Sequence, residues 1–151
     1  MLEVLYCSYE QGISKSLQDA IRRNGMEDVN GQVFFTKGEP LHDLILRLKR
    51  KGSPRCVIID SLDYMRLTTD QFKQLRKEFP RKSFIIICWS KNDRPKSQYA
   101  QDIEYMADIK IPVRKFKAYP ASRFGGNQPF VIWEKKPKAG EQLSLIQNES
   151  N

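Results

Sequence analysis

Cysteine and histidine are scarce in this sequence, and their scarcity excludes several kinds of site. The 151 residues include three cysteines and one histidine, and no Cys-x-x-Cys pair occurs. A structural zinc site needs about four Cys or His ligands at close spacings. The sequence therefore predicts no such site. All three cysteines lie in apolar stretches, which favours reduced, buried thiols in a cytoplasmic protein.

Long apolar runs are also lacking. No run approaches the ~20 apolar residues that a membrane-spanning helix needs. The N-terminus has no charged segment followed by an apolar segment and a small-residue cleavage site, so we expect no export signal. We therefore expect a cytoplasmic location and no membrane partner.

Acidic residues are outnumbered by basic ones. The chain has 26 Lys and Arg against 18 Asp and Glu, a net charge of +8. The basic residues cluster in segments 47–55, 76–82, 91–96, 114–117 and 135–138. Such a surplus attracts polyanions without sequence preference. Because the same clusters are typical of a solubilising surface, charge alone does not identify a nucleic-acid-binding protein.

Short apolar runs alternate with amphipathic segments along the chain. Six runs rich in Val, Ile, Phe and Tyr predict β-strands. They are residues 2–8, 32–36, 56–60, 83–90, 109–113 and 130–133. Four segments between them have apolar residues at helical spacing. These predicted helices are residues 14–24, 40–51, 69–79 and 97–107.

This alternation predicts the fold class, an α/β protein with three layers and a mostly parallel twisted sheet. The region 114–133 differs, because Gly-Gly-Asn and Pro129 separate two β-rich runs. That pattern predicts an antiparallel C-terminal hairpin at the sheet edge. We expect one domain over residues 1–138 and a flexible polar tail over 139–151.

Polar side chains follow three of the predicted strands. Glu10 follows the first, Asp60 and Ser61 follow the third, and Ser90 and Lys91 follow the fourth. In open α/β sheets, ligands bind beyond the carboxyl ends of the strands. There an Asp can hold a metal ion or its water, and a Glu can orient an attacking water. The alternative for each residue is that strand ends are polar because they emerge into solvent.

Three segments resemble a known family. CVIIDS (56–61) resembles the Walker B strand of RecA-like ATPases, the group of RadA-type recombination ATPases and hexameric replicative helicases. The stretch from VLYCSYEQ to RRNG (4–25) resembles the strand, acid and helix that follow the phosphate loop in that family. Residues 83–133 resemble its later portion, and the whole resemblance covers residues 2–136.

The resemblance implies a role for each candidate residue. Asp60 would hold magnesium through water, Glu10 would polarise the attacking water, and Arg123 would reach the nucleotide of a neighbouring subunit in a homo-oligomer. Ser90 would sense the γ-phosphate. The nucleotide-binding residues that the resemblance implies are Ser61, Ser90 and Lys91.

Two departures limit what the resemblance implies. No G-x-x-x-x-G-K-[ST] loop occurs, because the sequence contains no Gly-Lys pair; the chain begins just after where that loop and its helix would lie. We therefore expect ATP and Mg²⁺ to bind only if a partner or a missing segment supplies the loop, and no useful ATPase activity from the chain alone. In addition, Ala121 stands where the family commonly has a Lys two residues before Arg123.

The function that this sequence implies is a partial or degenerate RecA-like ATPase domain. It would belong to a DNA recombination, replication or mobile-element system and act with nucleic acid, single-stranded DNA being favoured, and with a Walker A-bearing partner. One alternative is a receiver domain with Asp60 as the phosphate acceptor, although Ser8 interrupts the expected acid pair. The other is a non-enzymatic nucleic-acid-binding module that uses the basic and aromatic residues of 114–126.

Overall fold

The computed structural model of the chain describes residues 3–29 and 31–134. The chain divides into two compact units, with the boundary between Ala107 and Asp108. The predicted tail over 139–151 lies outside the described residues. In the part that is described, no helix has both the length and the apolar character needed to cross a membrane.

Four parallel strands form the centre of the first unit. They are β1 (Val4–Ser8), β2 (Val33–Lys37), β3 (Cys56–Asp60) and β4 (Ser83–Ile87), in the order β2-β1-β3-β4. Ser8 lies opposite both Lys37 and Asp60, and Asp60 lies opposite Ile87. All four strands therefore end at the same level, which builds one carboxyl edge. The predicted mixed α/β class with a parallel sheet is confirmed.

The described residues form five helices and a 3₁₀ turn around these strands. The helices are α1 (Lys15–Arg23), α2 (Leu41–Leu48), α3 (Leu62–Met65), α4 (Thr69–Glu78) and α5 (Gln98–Met106), and the 3₁₀ turn is Met26–Val29. Ser14 caps α1 and Thr68 caps α4, where Gln71 completes a capping box. The four predicted helices are present, and the short helix α3 was not predicted.

The core lies on one face of the parallel sheet. Leu5 and Cys7 of β1 and Val57 and Ile59 of β3 are buried there. The helical side chains that bury them come from α2 to α5, among them Leu44, Leu48, Leu62, Phe72, Leu75 and Ile103. The other face is less covered, since α1 has no buried side chain.

Strand β4 is an edge strand with an apolar sequence. It pairs with β3, and no described strand pairs with its other side. Ile85 and Ile87, on the less covered face, are 51% and 42% exposed. The predicted strand 83–90 ends at Ile87, and a two-stranded hairpin follows, β5 (Ser90–Lys91) and β6 (Arg94–Pro95).

The second unit consists of short antiparallel strands. They are β7 (Ile109–Lys110), β8 (Val113–Arg114), β9 (Lys117–Ala118), β10 (Ala121–Ser122) and β11 (Phe130–Val131). Strand β7 pairs with β10, and the other three form a sheet in the order β11-β9-β8. The prediction of a hairpin on the edge of the parallel sheet is wrong, because these strands pair with each other and, among the residues described, none pairs with the parallel sheet.

The antiparallel turn is also not where the sequence pattern put it. Lys115 and Phe116 have φ values of 47° and 60° and form the two-residue turn between β8 and β9. Pro112, which has no N–H group to donate to a sheet, interrupts the predicted strand 109–113. The Gly-Gly-Asn segment instead lies in the loop before β11, where Asn127 Oδ1 accepts a hydrogen bond from the Ser122 amide at 2.8 Å.

Substitution of two leucines in α2 tests which face of the helix stabilises the first unit. Leu44 is fully buried and Leu46 is 49% exposed. We expect Leu44→Ala to lower the free energy of unfolding by ~2–5 kcal/mol, because it leaves a cavity in the core. The matched control Leu46→Ala should change it by about 0.5 kcal/mol or less. Urea unfolding followed by circular dichroism measures both, and equal losses would contradict the described core.

Candidate functional site

The carboxyl ends of β1 and β3 are joined by backbone hydrogen bonds. The amides of Tyr9 and Glu10 donate to the carbonyl oxygen of Asp60, at 2.6 and 3.2 Å. The connection that leaves β1 leads to β2 on one side, and the connection that leaves β3 leads to β4 on the other. Such a point of divergence is where open α/β sheets bind ligands. The structure therefore brings Glu10 and Asp60 to the favoured place on this edge, which we call the acidic rim (Glu10, Asp60 and Ser61).

Tyr6 is hydrogen-bonded to one acid of the rim. Its hydroxyl donates a hydrogen bond to Asp60 Oδ2. The pKa of Tyr6 is raised above its ordinary value, first by burial, then by the hydrogen bond to Asp60 and by the charges of Asp60 and Glu10. Asp60 is half-buried and stays out of the core, while Glu10 is exposed.

Ser61 adds a buried hydroxyl to the acidic rim. The residue is 1% exposed, and its Oγ has no hydrogen-bond partner in the part of the chain that the structure describes. Its carbonyl oxygen accepts from the amides of Tyr64 and Met65 as α3 begins, and the peptide bond between Asp60 and Ser61 is cis. A buried polar atom without a protein partner is unusual, so this hydroxyl is a candidate for contact with water or a ligand.

A second layer of contacts fixes the segment that carries Glu10. The Tyr9 hydroxyl donates to the Glu39 carbonyl oxygen at 2.7 Å, and Arg47 binds the Glu39 carboxylate through two hydrogen bonds of 2.8 and 3.1 Å. Tyr9 packs against Gly38, where an added Cβ would lie 2.5 Å from the ring and 2.8 Å from the Tyr9 Cα. Glycine is therefore required for this close approach.

The remaining predicted site residues lie elsewhere. Ser90 and Lys91 are exposed in strand β5, and no hydrogen bond joins either to Asp60 or Glu10 among the described residues. Cys88 and Trp89 separate Ser90 from the end of β4. Arg123 belongs to the second unit, where it forms an ion pair with Asp108 at 3.7 Å. The structure thus brings together Glu10, Asp60 and Ser61 of the six predicted residues.

The acidic rim offers two carboxylates to a metal ion. Among residues 3–29 and 31–134, no group of three or more His, Cys, Asp or Glu side chains has metal-site geometry. Magnesium in nucleotide sites is commonly held by one or two carboxylates together with waters and phosphate oxygens. This donor set fits magnesium that arrives with a nucleotide better than a site built entirely from protein ligands.

Sequence reasoning missed Tyr6 and Gly38. Tyr6 lies two residues before Ser8 on β1, so its side chain shares the Asp60 face of the sheet once the strands are paired in register. That alternation is visible in the sequence, but the pairing partner is not. Comparison of the chain with protein-family models and with curated proteins gave no match.

The bond between Tyr6 and Asp60 can be tested by titration. We expect Asp60→Asn to lower the pKa of Tyr6, because the substitution removes a negative charge that opposes ionisation of the phenol. Burial remains, so the pKa should still exceed the ordinary value of about 10. Tyrosinate absorbance measured against pH in a Tyr9→Phe background reports the change.

The control for this titration is Asp63→Asn. Asp63 accepts a hydrogen bond from the Trp89 amide and makes no described contact with Tyr6, so its substitution should leave the Tyr6 titration unchanged. The unfolding free energy of the unsubstituted chain should fall above about pH 10, because the unfolded chain releases phenol protons that the folded chain retains. Identical tyrosinate curves for the Asp60→Asn and Asp63→Asn variants would contradict the Tyr6–Asp60 contact.

Proposed function

We propose that this chain is the Walker B-bearing part of a RecA-like ATPase that works on single-stranded DNA in recombination, replication or the movement of a genetic element. Its phosphate loop would come from another segment or from a Walker A-bearing partner. The observation that supports this proposal best is the acidic rim itself. Asp60 ends β3, and Glu10 lies two residues after the end of the adjacent β1. The Glu10 amide donates to the Asp60 carbonyl oxygen, and the Tyr6 hydroxyl donates to the Asp60 carboxylate.

Each residue of the acidic rim has a role in this proposal. Mg²⁺ bound with ATP would neutralise charge on the phosphate oxygens. Asp60, held in place by Tyr6, would accept hydrogen bonds from the waters around that ion. Glu10, exposed beside it, would orient the attacking water. The Ser61 hydroxyl would donate to a phosphate oxygen or to a magnesium-bound water.

The acidic rim is not sufficient for hydrolysis. Two carboxylates repel a triphosphate unless a cation and positive protein groups offset their charge. In phosphate-loop ATPases the loop amides and their lysine supply that charge, and this sequence has no Gly-Lys pair. The chain alone should therefore neither bind ATP tightly nor hydrolyse it.

Strand β4 supports the idea that another segment completes the sheet. Its sequence, SFIII, is typical of a strand covered on both faces, yet the described residues provide a neighbouring strand on one side only. Natural edge strands usually carry charged residues, proline or bulges that prevent further pairing, and β4 has none of these. A strand added beside β4, with its loop and helix, would cover Ile85 and Ile87 and complete the three-layer RecA-like arrangement.

The experiment starts from the coding DNA upstream of Met1. We expect a Gly-Lys-Ser or Gly-Lys-Thr loop there, in frame or in an adjacent gene, and we expect its product, fused to or co-purified with this chain, to hydrolyse ATP. Asp60→Asn and Glu10→Gln should each lower kcat at least ~100-fold, because both act on the reacting groups. Asp63→Asn is the matched acidic control and should retain most of the activity.

Two results would contradict the proposed ATPase. One is an assembled complex that binds ATP through the supplied loop but hydrolyses it equally well with Asp60→Asn. The other is ATP hydrolysis by the present chain alone, since that would require a phosphate site that the proposal does not contain. Circular dichroism of each variant separates loss of chemistry from loss of folding.

One observation favours the receiver alternative, and another opposes it. The order β2-β1-β3-β4 also begins the doubly wound sheets of receiver domains. However, β7, the strand that follows α5, pairs antiparallel with β10, and among the described residues it does not pair with the parallel sheet. Incubation with acetyl phosphate, read by mass spectrometry of the intact chain, should therefore give no phosphorylation at Asp60. Modification there that Asp60→Asn abolishes would establish the receiver.

A further inference from the structure

Basic side chains gather at the amino edge of the parallel sheet, opposite the acidic rim. Arg55 directly precedes β3 and Lys82 directly precedes β4, and the Ser83 amide donates to the Arg55 carbonyl oxygen at 2.8 Å. On the other side of Arg55, the Cys56 amide donates to the carbonyl oxygen of Glu3, the residue before β1, at 3.3 Å. Glu3, Arg55 and Lys82 therefore form one row across this edge.

An open cleft of about 590 Å³ lies beside this row. The charged side chains that line it are Arg55, Glu78, Arg81 and Lys82, and Ser53 adds a hydroxyl. We call Ser53, Arg55, Arg81 and Lys82 the basic cleft. Its volume lies in the range of clefts that hold small ligands.

Lys82 brings a positive charge that no acid offsets. Its ammonium donates to the Ser53 carbonyl oxygen at 3.2 Å, to Ser53 Oγ at 2.7 Å and to the Pro54 carbonyl oxygen at 2.8 Å. All three acceptors are neutral, and within the described part of the chain no carboxylate forms an ion pair with Lys82. The pKa of Lys82 is lowered, first by burial and then by the charge of Arg55. The charge is therefore fixed in position but is not neutralised.

Two arginines of the basic cleft have free donors. Arg55 and Arg81 are exposed, and neither side chain has a hydrogen bond or ion pair with the residues that the structure describes. The planar fork of a guanidinium matches the oxygens of a phosphate group. Because the Lys82 ammonium already has three acceptors, it would act on an anion through its charge, whereas the arginines would donate hydrogen bonds. Arg50 and Lys51, in the loop that follows α2, are exposed as well and add positive potential.

Two acids border the basic cleft and limit what it can bind. Glu78 is already engaged, since its carboxylate forms an ion pair with Lys49 at 2.8 Å and accepts a hydrogen bond from Gln74 at 2.7 Å. Glu3 is exposed and lines a smaller neighbouring cleft together with Arg55. It would repel a long polyanion that continued past Arg55, so the arrangement favours a compact anion.

We propose that the basic cleft binds a small anion with a terminal phosphate group, such as pyrophosphate or a phosphate monoester. Arg55 and Arg81 would donate hydrogen bonds to the phosphate oxygens, and Lys82 would stabilise the anion by its charge. Strands of five residues separate this edge from the acidic rim by roughly 16 Å, so one phosphate group cannot occupy both places. The inference goes beyond the proposed ATPase, because it needs neither a Walker A segment nor hydrolysis.

NMR of the ¹⁵N-labelled full-length chain, titrated with pyrophosphate, tests where the anion binds. Amides within residues 53–55 and 79–83 should shift until they saturate, whereas those of two other basic segments, 91–96 and 114–117, should not. Sodium chloride at the same ionic strength is the control. Absence of shifts at millimolar pyrophosphate, or equal shifts in all basic segments, would overturn the proposal.

The affinity for pyrophosphate in the same titration tests the individual side chains. Arg55→Gln and Arg81→Gln should each weaken binding about tenfold, because each removes charge-assisted hydrogen bonds. Arg23→Gln, at an exposed arginine of α1, is the matched control and should leave the affinity unchanged. Glu3→Gln should strengthen binding about twofold or more, because it removes a negative charge beside Arg55. Unchanged affinity in both Arg55→Gln and Arg81→Gln would contradict the assignment.

A nucleic-acid backbone carries the same phosphate chemistry and is distinguished by concentration. If a DNA duplex or an oligodeoxythymidylate shifts residues 53–55 and 79–83 at lower concentrations than pyrophosphate does, the small-anion assignment is overturned in favour of a phosphodiester backbone. Urea unfolding of each variant shows whether a loss of binding reflects a loss of folding. Arg55→Lys, which keeps the charge without the planar fork, should bind with intermediate affinity and keeps the test decisive if Arg55→Gln does not fold. These measurements contain no ATP and no partner, so their outcome is independent of the proposed hydrolysis.

Discussion

The in-register pairing of β1 with β3 is the constraint on which the candidate site depends. It sets Ser8 beside Asp60, so the chain that leaves β1 passes the end of β3 and donates two amides to one carbonyl oxygen. A slip of one residue would send the Asp60 carboxylate to the opposite face of the sheet, away from Tyr6. The burial of Leu5, Cys7, Val57 and Ile59 on one face opposes that slip. The core therefore fixes the geometry of the acids.

The same sheet ends at β4, which has no described strand on its other side. Phe84 and Ile86 of β4 pack against the core, whereas Ile85 and Ile87 point to the face that α1 leaves largely open. Burying two half-exposed isoleucines is worth about 25 cal/mol per Å² of apolar surface. The backbone groups on the free side of β4 would gain hydrogen-bond partners in the same event. Both terms favour pairing with a further strand.

Much of the first unit could be predicted from the sequence because its signals are local. The apolar run 56–60 coincides with β3, and helix caps such as Ser14 and Thr68 act within one turn. The second unit could not be predicted in this way. Its strands are only two residues long, too short to show a periodic pattern, and the turn at Lys115 and Phe116 lacks the usual glycine or asparagine.

Part of the candidate site could likewise be predicted from the sequence, and part could not. That Asp60 and Glu10 would meet follows from parallel strands sharing a carboxyl edge, which the sequence pattern implies. The hydrogen bond from Tyr6 and the close approach of Tyr9 to Gly38 depend on side chains from separate strands, so no local pattern contains them. The prediction that Ser90 follows the end of the fourth strand directly was inaccurate for a related reason. The apolar run continues through Cys88 and Trp89, although the strand ends at Ile87.

The acidic rim is connected to Trp89 through a short segment. Asp60 ends β3, and three residues later Asp63 accepts the Trp89 amide hydrogen bond, while Tyr64 contacts the Trp89 ring. A change in the backbone at Asp60 and Ser61 would therefore reach both rings through one turn of helix. The rim itself is acidic, since it contains Glu10 and Asp60. A triphosphate placed there would need positive charge that the three residues of the rim do not supply.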